Sequence, residues 1–148
     1  MQRARKLLAL SWRAKLMLAE AALMTSLASL ALLLLPFRRL APWLGRHMEV
    51  SPESQSAAEQ QTVQHVRSAI RVASRHLPWQ PQCLAQAIAG TTMLRIRHID
   101  GTVYLGLAKD GDREIAAHAW LRSGSTIVTG AQGSSGHSVV STFAFRAK

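Results

Sequence analysis

The chain carries one cysteine, Cys83, and one of its six histidines, His118, lies in the small-residue run Ala116-Ala117-His118-Ala119-Trp120. Cys83 follows Pro81-Gln82, where a helix is expected to begin. Unpaired backbone N–H groups and the helix dipole at such a start stabilise a thiolate. A helix-start cysteine followed by a strand histidine is one recurring arrangement for a thiol nucleophile and its general base. Each residue also has a plainer reading. Most lone cysteines are small buried hydrophobes, and most histidines in apolar strands are satisfied core residues. His118, however, shares its strand face with Trp120 rather than with aliphatics, and its small neighbours let another side chain come close.

Other chemistries are excluded at this level. A single thiol makes neither an intrachain disulfide nor a Cys-rich zinc site, and no two histidines stand at a metal-ligand spacing. No Gly-rich phosphate loop ending in Gly-Lys-Ser/Thr is present. Neither a metal nor a cofactor is therefore expected. The net charge of +10 raises nucleic acid or a membrane surface as partners, but aromatics are only 5% of the residues. That is too few for a base-stacking platform, and no nucleic-acid partner is expected. The basic excess is uneven: residues 1–46 hold eight Lys/Arg against the single acid Glu20.

The elements that must position the pair follow from periodicity. With 148 residues, 48% of them hydrophobic, the chain has the material for one ordinary domain. A run from Leu16 to Leu35, broken by Glu20, is long enough to rise about 30 Å as a helix and cross a bilayer. A secretory signal fits poorly, because Pro36-Phe37-Arg38-Arg39 follows instead of a cleavage site. A membrane span and a buried helix both fit; the helix packing on the core or on a partner is the reading preferred. Ser51-Pro52-Glu53 has the form of a helix start. Val63, Val66, Ile70, Ala73 and Leu77 then recur at steps of three and four, with Arg67, Arg71 and Arg75 elsewhere on the turn. That helix ends before Pro78. A second begins near Pro81 and buries Leu84, Ala87, Ile88, Thr91 and Leu94 on one face. Beyond Arg97 the period becomes two: strands are expected at 103–107, 115–121, 126–129 and 139–145. Turns fall at Asp110-Gly111-Asp112 and Ser123-Gly124-Ser125, and a polar Gly/Ser loop spans 130–137. Helices first and an antiparallel sheet after them make an α+β chain.

Several segments, taken together in order, resemble a known family. They are Leu77-Pro78-Trp79-Gln80-Pro81-Gln82-Cys83-Leu84-Ala85-Gln86-Ala87, Met93-Leu94-Arg95-Ile96-Arg97, Tyr104-Leu105-Gly106-Leu107, Ala117-His118-Ala119-Trp120-Leu121 and Val128-Thr129-Gly130. The likeness is to the lasso-peptide leader peptidases, stand-alone transglutaminase-like cysteine proteases of split systems. It covers about 63–132 closely, and Leu35-Pro36-Phe37-Arg38-Arg39-Leu40 is also similar. The resemblance implies a papain/transglutaminase-like fold, with residues 1–50 as a basic, apolar helical lead-in and 51–148 as the peptidase domain. It implies Cys83 as nucleophile and His118 as general base. The Cys83 N–H, with Gln82 or Gln80, would face the oxyanion, and Trp79 and Trp120 would border the substrate. The family usually supplies an acid about a dozen residues beyond the histidine, whereas this chain has no Asp or Glu after Glu114. Thr129 is the candidate third member, expected opposite residue 119 on the neighbouring strand. A backbone carbonyl or Glu114 are the alternatives.

The function the resemblance implies is removal of the leader from a ribosomally made lasso-peptide (RiPP) precursor. Its expected partners are the precursor peptide, a small leader-binding RiPP recognition protein and the lasso cyclase. The expected location is the bacterial cytoplasm, with membrane association left open. Two other readings compete: a transglutaminase-like acyltransferase that uses an amine in place of water, and a membrane-associated interaction protein in which Cys83 is structural.

Overall fold

Helices precede strands along the chain, in the computed structural model, which describes residues 2–110, 114–131 and 138–146. The helices are α1 (Gln2–Leu8), α2 (Trp12–Leu34), α3 (Phe37–Leu44), α4 (Ala57–His76) and α5 (Cys83–Ile96). The strands are β1 (Arg46–His47), β2 (Gly101–Asp110), β3 (Glu114–Ser123), β4 (Thr126–Thr129) and β5 (Ser138–Phe145). The strands form one antiparallel sheet in the order β1-β5-β2-β3-β4. This is the α+β arrangement that the change of period implies. The β2–β3 hairpin pairs Asp110 with Glu114; Gly111 and Asp112 of the expected turn, and 132–137 of the Gly/Ser loop, lie outside the described residues.

Local chemistry sets the helix limits. Ser56 caps α4 by accepting from the Glu59 N–H at 3.2 Å, while the Glu59 carboxylate accepts from the Ser56 N–H at 3.1 Å. This reciprocal capping box satisfies two first-turn donors. The helix therefore begins five residues later than Ser51-Pro52-Glu53 suggests. Ser51 is instead buried: its N–H and hydroxyl meet Thr102 Oγ1 at 2.8 and 2.7 Å, and its carbonyl accepts from Arg122 Nη2 at 2.7 Å. Sheet contacts hold it outside the helix. At the other end Leu77 closes α4 before Pro78.

The central helix is α5, packed between the sheet and the other helices. Ala85, Ala87, Ile88, Ala89, Gly90, Thr91, Met93 and Leu94 are all buried, so its apolar surface runs almost all round rather than along one face. A helix of that kind belongs inside a protein. Gly90 marks its closest approach to the sheet. A Cβ there would stand 2.5 Å from Leu121 Cδ2 and 3.3 Å from Ile70 Cδ1. α2 lies against α4 and α5 through Ala21, Thr25 and Ala28, all buried. A bidentate ion pair, Arg97 Nη1 and Nη2 to Glu20 at 2.8 and 2.7 Å, ties α2 to the end of α5. The Glu20 hydrogen bond holds the Arg97 guanidinium above its ordinary pKa.

Candidate active site

Cys83 is the first residue of α5, because Gln82 keeps the extended backbone of an N-cap. Gln82 makes no side-chain cap bond, so it leaves the N–H groups that an α-helix does not pair in its first turn uncapped. Gln86, one turn on, donates from Nε2 to the Pro81 carbonyl at 3.1 Å and so pins the loop entering the helix. Pro78-Trp79-Gln80 turns the chain between α4 and α5, with Gln80 at φ +46°. A non-glycine residue held in the left-handed region is a strained position of the kind that gathers at functional sites.

The sheet brings the second half. β4 ends at Thr129, which pairs with Leu121. Ala119 lies beyond that last pair, and its N–H is given to Cys83 Sγ at 3.4 Å. The neighbouring His118 turns its ring to the residue after β4: Nε2 stands 3.0 Å from the Gly130 carbonyl oxygen. A carbonyl can only accept, so Nε2 is the donor in this contact and carries a proton. Trp120 is buried and stacks on both His118 (6.0 Å, 23°) and Tyr104 (5.4 Å, 4°). Arg122 Nε donates to the Tyr104 hydroxyl at 2.9 Å, which continues the row of stacked groups away from the imidazole. The His118 ring is thus held by a ring stack and a backbone acceptor.

Thr129 does not take the third position. A register shift between Leu121 and Arg122 moves its pairing to Leu121, two residues from the expected partner 119. Leu121 and Thr129 both face α5 at Gly90. His118 is an odd number of residues from Leu121 and falls on the other side of the strand. The Thr129 hydroxyl is buried and has no hydrogen-bond partner among the described residues. Glu114 ends the hairpin, and its side chain lies outside the described residues.

Cys83 and His118 line one cleft of about 790 Å³, together with Gln80, Pro81, Gln86, Val128, Thr129, Gly130 and Ala131. Its remaining wall is α4, through Arg67, Ile70, Arg71, Ser74 and Arg75. Of the other residues expected at the site, Gln82 and Trp79 are exposed and outside the cleft wall, and Trp120 lies behind His118. Sequence reasoning overlooked Gln86, the Ala119 N–H and the α4 arginines. Only the arginine spacing leaves a signal in the sequence. No group of three or more metal-ligating side chains occurs among the described residues. The arrangement offers a thiol at a helix start, an imidazole that meets a backbone carbonyl, and first-turn N–H groups that the N-cap side chain does not take.

A protein-family model described as Transglutaminase-like superfamily matches residues 31–142, more than half of the chain. No curated protein and no solved structure matches it.

Proposed function

We propose, from the premise that this chain belongs to the transglutaminase-like superfamily, that it is a cysteine peptidase removing the leader of a ribosomally made lasso-peptide precursor. The superfamily includes cysteine peptidases and acyltransferases. The observation carrying the reading is the meeting of Cys83, at the first position of α5, with a His118 ring held by the Gly130 carbonyl in one cleft.

In this mechanism the His118 imidazole takes the thiol proton, and Cys83 Sγ attacks the scissile carbonyl carbon. The Cys83 N–H donates to the resulting oxyanion. On collapse the C–N bond breaks, His118 returns its proton to the leaving amine, and the acyl group stays on Sγ. Water, deprotonated by His118, then hydrolyses the thioester. In the free protein the thiol's partner is the Ala119 N–H; in this reading the thiol and the imidazole come into hydrogen-bond contact only once substrate is bound, as is common for catalytic pairs. A thiol needs less activation than a hydroxyl, so a neutral carbonyl can serve where a carboxylate would otherwise orient the imidazole.

The precursor, a leader-binding protein and a cyclase are the partners of this reading, and the cytoplasm its location. The test is mass spectrometry of a candidate precursor, encoded beside this chain, incubated with it and its leader-binding protein. Leader and core products that gain one water are expected, and Cys83→Ala should keep its circular dichroism while losing all but a few per cent of cleavage. Retained cleavage would overturn the nucleophile. A product heavier by an amine instead would assign the chain to the acyltransferases.

A further inference from the structure

Arg67, Arg71 and Arg75 stand four residues apart along α4, and all three line the cleft that holds Cys83 and His118. Like charges at that spacing repel one another and destabilise a helix. None of the three meets a carboxylate among the described residues, whose ion pairs are Arg46–Glu49 and Arg97–Glu20. Between them the same wall carries Ser74, and the facing wall carries Thr129, which is 5% exposed. Both hydroxyls are buried and have no hydrogen-bond partner among the described residues. Buried polar atoms normally find partners; here two that lack one line the same cleft as three unpaired cations.

We infer that this wall is a subsite for an acidic peptide segment, and that the substrate carries carboxylates within a few residues of the bond Cys83 attacks. The inference rests on the peptidase reading and adds its substrate class. The spacing fits. Successive arginines at i and i+4 are about 6 Å apart along the helix axis. Side chains on one face of an extended peptide recur every second residue, at about 6.6 Å. An Asp/Glu-x-Asp/Glu-x-Asp/Glu stretch lying along α4 therefore sets one carboxylate against each guanidinium, in charge-assisted and bidentate contacts. A peptide is favoured over nucleic acid because the groups at the centre of the cleft act on acyl carbons.

The test uses the full chain and two fluorescein-labelled hexapeptides, Glu-Ala-Glu-Ala-Glu-Ala and its glutamine counterpart, read by fluorescence anisotropy. The acidic peptide should bind about tenfold or more tightly, with the advantage shrinking as salt rises. The Arg71→Gln/Arg75→Gln double variant, folded by circular dichroism, should reduce the advantage to within about twofold, whereas Arg38→Gln/Arg39→Gln removes the same charge from α3 and should keep it. Bound acidic peptide should also slow alkylation of Cys83 by iodoacetamide, which places it in the cleft. Equal affinity for the two peptides, equal loss in both double variants, or no protection of Cys83 would overturn the inference. So would a six-nucleotide single-stranded DNA that binds more tightly and depends on the same arginines. None of these readouts requires cleavage, so failed precursor processing with intact binding would count against the peptidase reading alone.

Discussion

With φ at +73°, Gly130 occupies the left-handed region, and a Cβ there would stand 2.5 Å from the Ala119 carbonyl oxygen and 3.1 Å from His118 Nε2. The same residue supplies the carbonyl that fixes the imidazole. Gly130→Ala is therefore expected to cost about 1–3 kcal/mol in stability, from backbone strain and the close contacts. It should also lower kcat by about tenfold or more, because the acceptor moves away from Nε2. Denaturant melts and single-turnover cleavage measure the two losses. Nitrogen NMR of the His118 ring separates them from simple unfolding: the Nε2–H tautomer should dominate in the native protein and lose that dominance in the variant. Thr129 behaves in the opposite way. Its buried hydroxyl makes no hydrogen bond among the described residues, so Thr129→Val should raise stability by about 1 kcal/mol. Because that hydroxyl makes no hydrogen bond to His118, kcat should stay within about twofold. A tenfold fall in kcat would return Thr129 to the position beside the imidazole.

At the scale of elements, the packing of α5 decides whether Cys83 reaches the sheet. Gly90 is seven residues beyond Cys83, close to two helical turns, so the two share a side of α5. Close approach at Gly90 keeps that side against β3, where Ala119 meets Sγ. Gly90→Ala should cost about 1–3 kcal/mol by overpacking against Leu121 and Ile70. It should also change the alkylation rate of Cys83; unchanged stability and unchanged alkylation would mean that α5 has room to spare. Which parts of this were legible in the sequence follows from the range of the interactions. Val63, Val66, Ile70 and Ala73 recur at helical spacing and are buried in α4, and the strands follow their period-two alternation. The start of α4 was not legible, because Ser51-Pro52-Glu53 and Ser56 offer equally good local signals. The choice is made by Thr102 and Arg122, about 50 and 70 residues away. The pairing of Thr129 was hidden for a related reason: the shift between Leu121 and Arg122 belongs to a strand pair and not to either strand. Periodicity separates core from non-core, and it could not tell that Arg67, Arg71 and Arg75 line a cleft rather than an open face.

At the scale of the whole molecule, α2 is long and apolar enough to cross a membrane. It nevertheless spends one side on the protein. Ala21, Thr25 and Ala28 are buried at steps of four and three, and Glu20 is held by Arg97. The opposite side exposes Leu16, Leu23, Leu27, Leu30 and Leu34, an apolar stripe interrupted between Leu16 and Leu23 by Glu20 at its edge. Arg13 and Lys15 stand at one end of it, and Arg38 and Arg39 follow the other. A helix that spans a bilayer would have to leave α4 and α5 and carry Glu20 into hydrocarbon, at a cost of about 3 kcal/mol for the carboxylate alone. A helix lying along an anionic surface keeps the ion pair, wets neither end, and gains about 1 kcal/mol for each basic residue near the lipid. The expected behaviour is sedimentation with vesicles rich in anionic lipid, weaker with neutral vesicles, and release by alkaline carbonate. Glu20→Ala should cost about 2 kcal/mol in stability, since it leaves the half-buried Arg97 guanidinium without its carboxylate. By loosening α2 from α5 it should also raise the fraction that resists the alkaline wash. Resistance in the unaltered chain would mean that α2 spans, and that the contacts of Ala21, Thr25 and Ala28 with α4 and α5 are given up in the membrane.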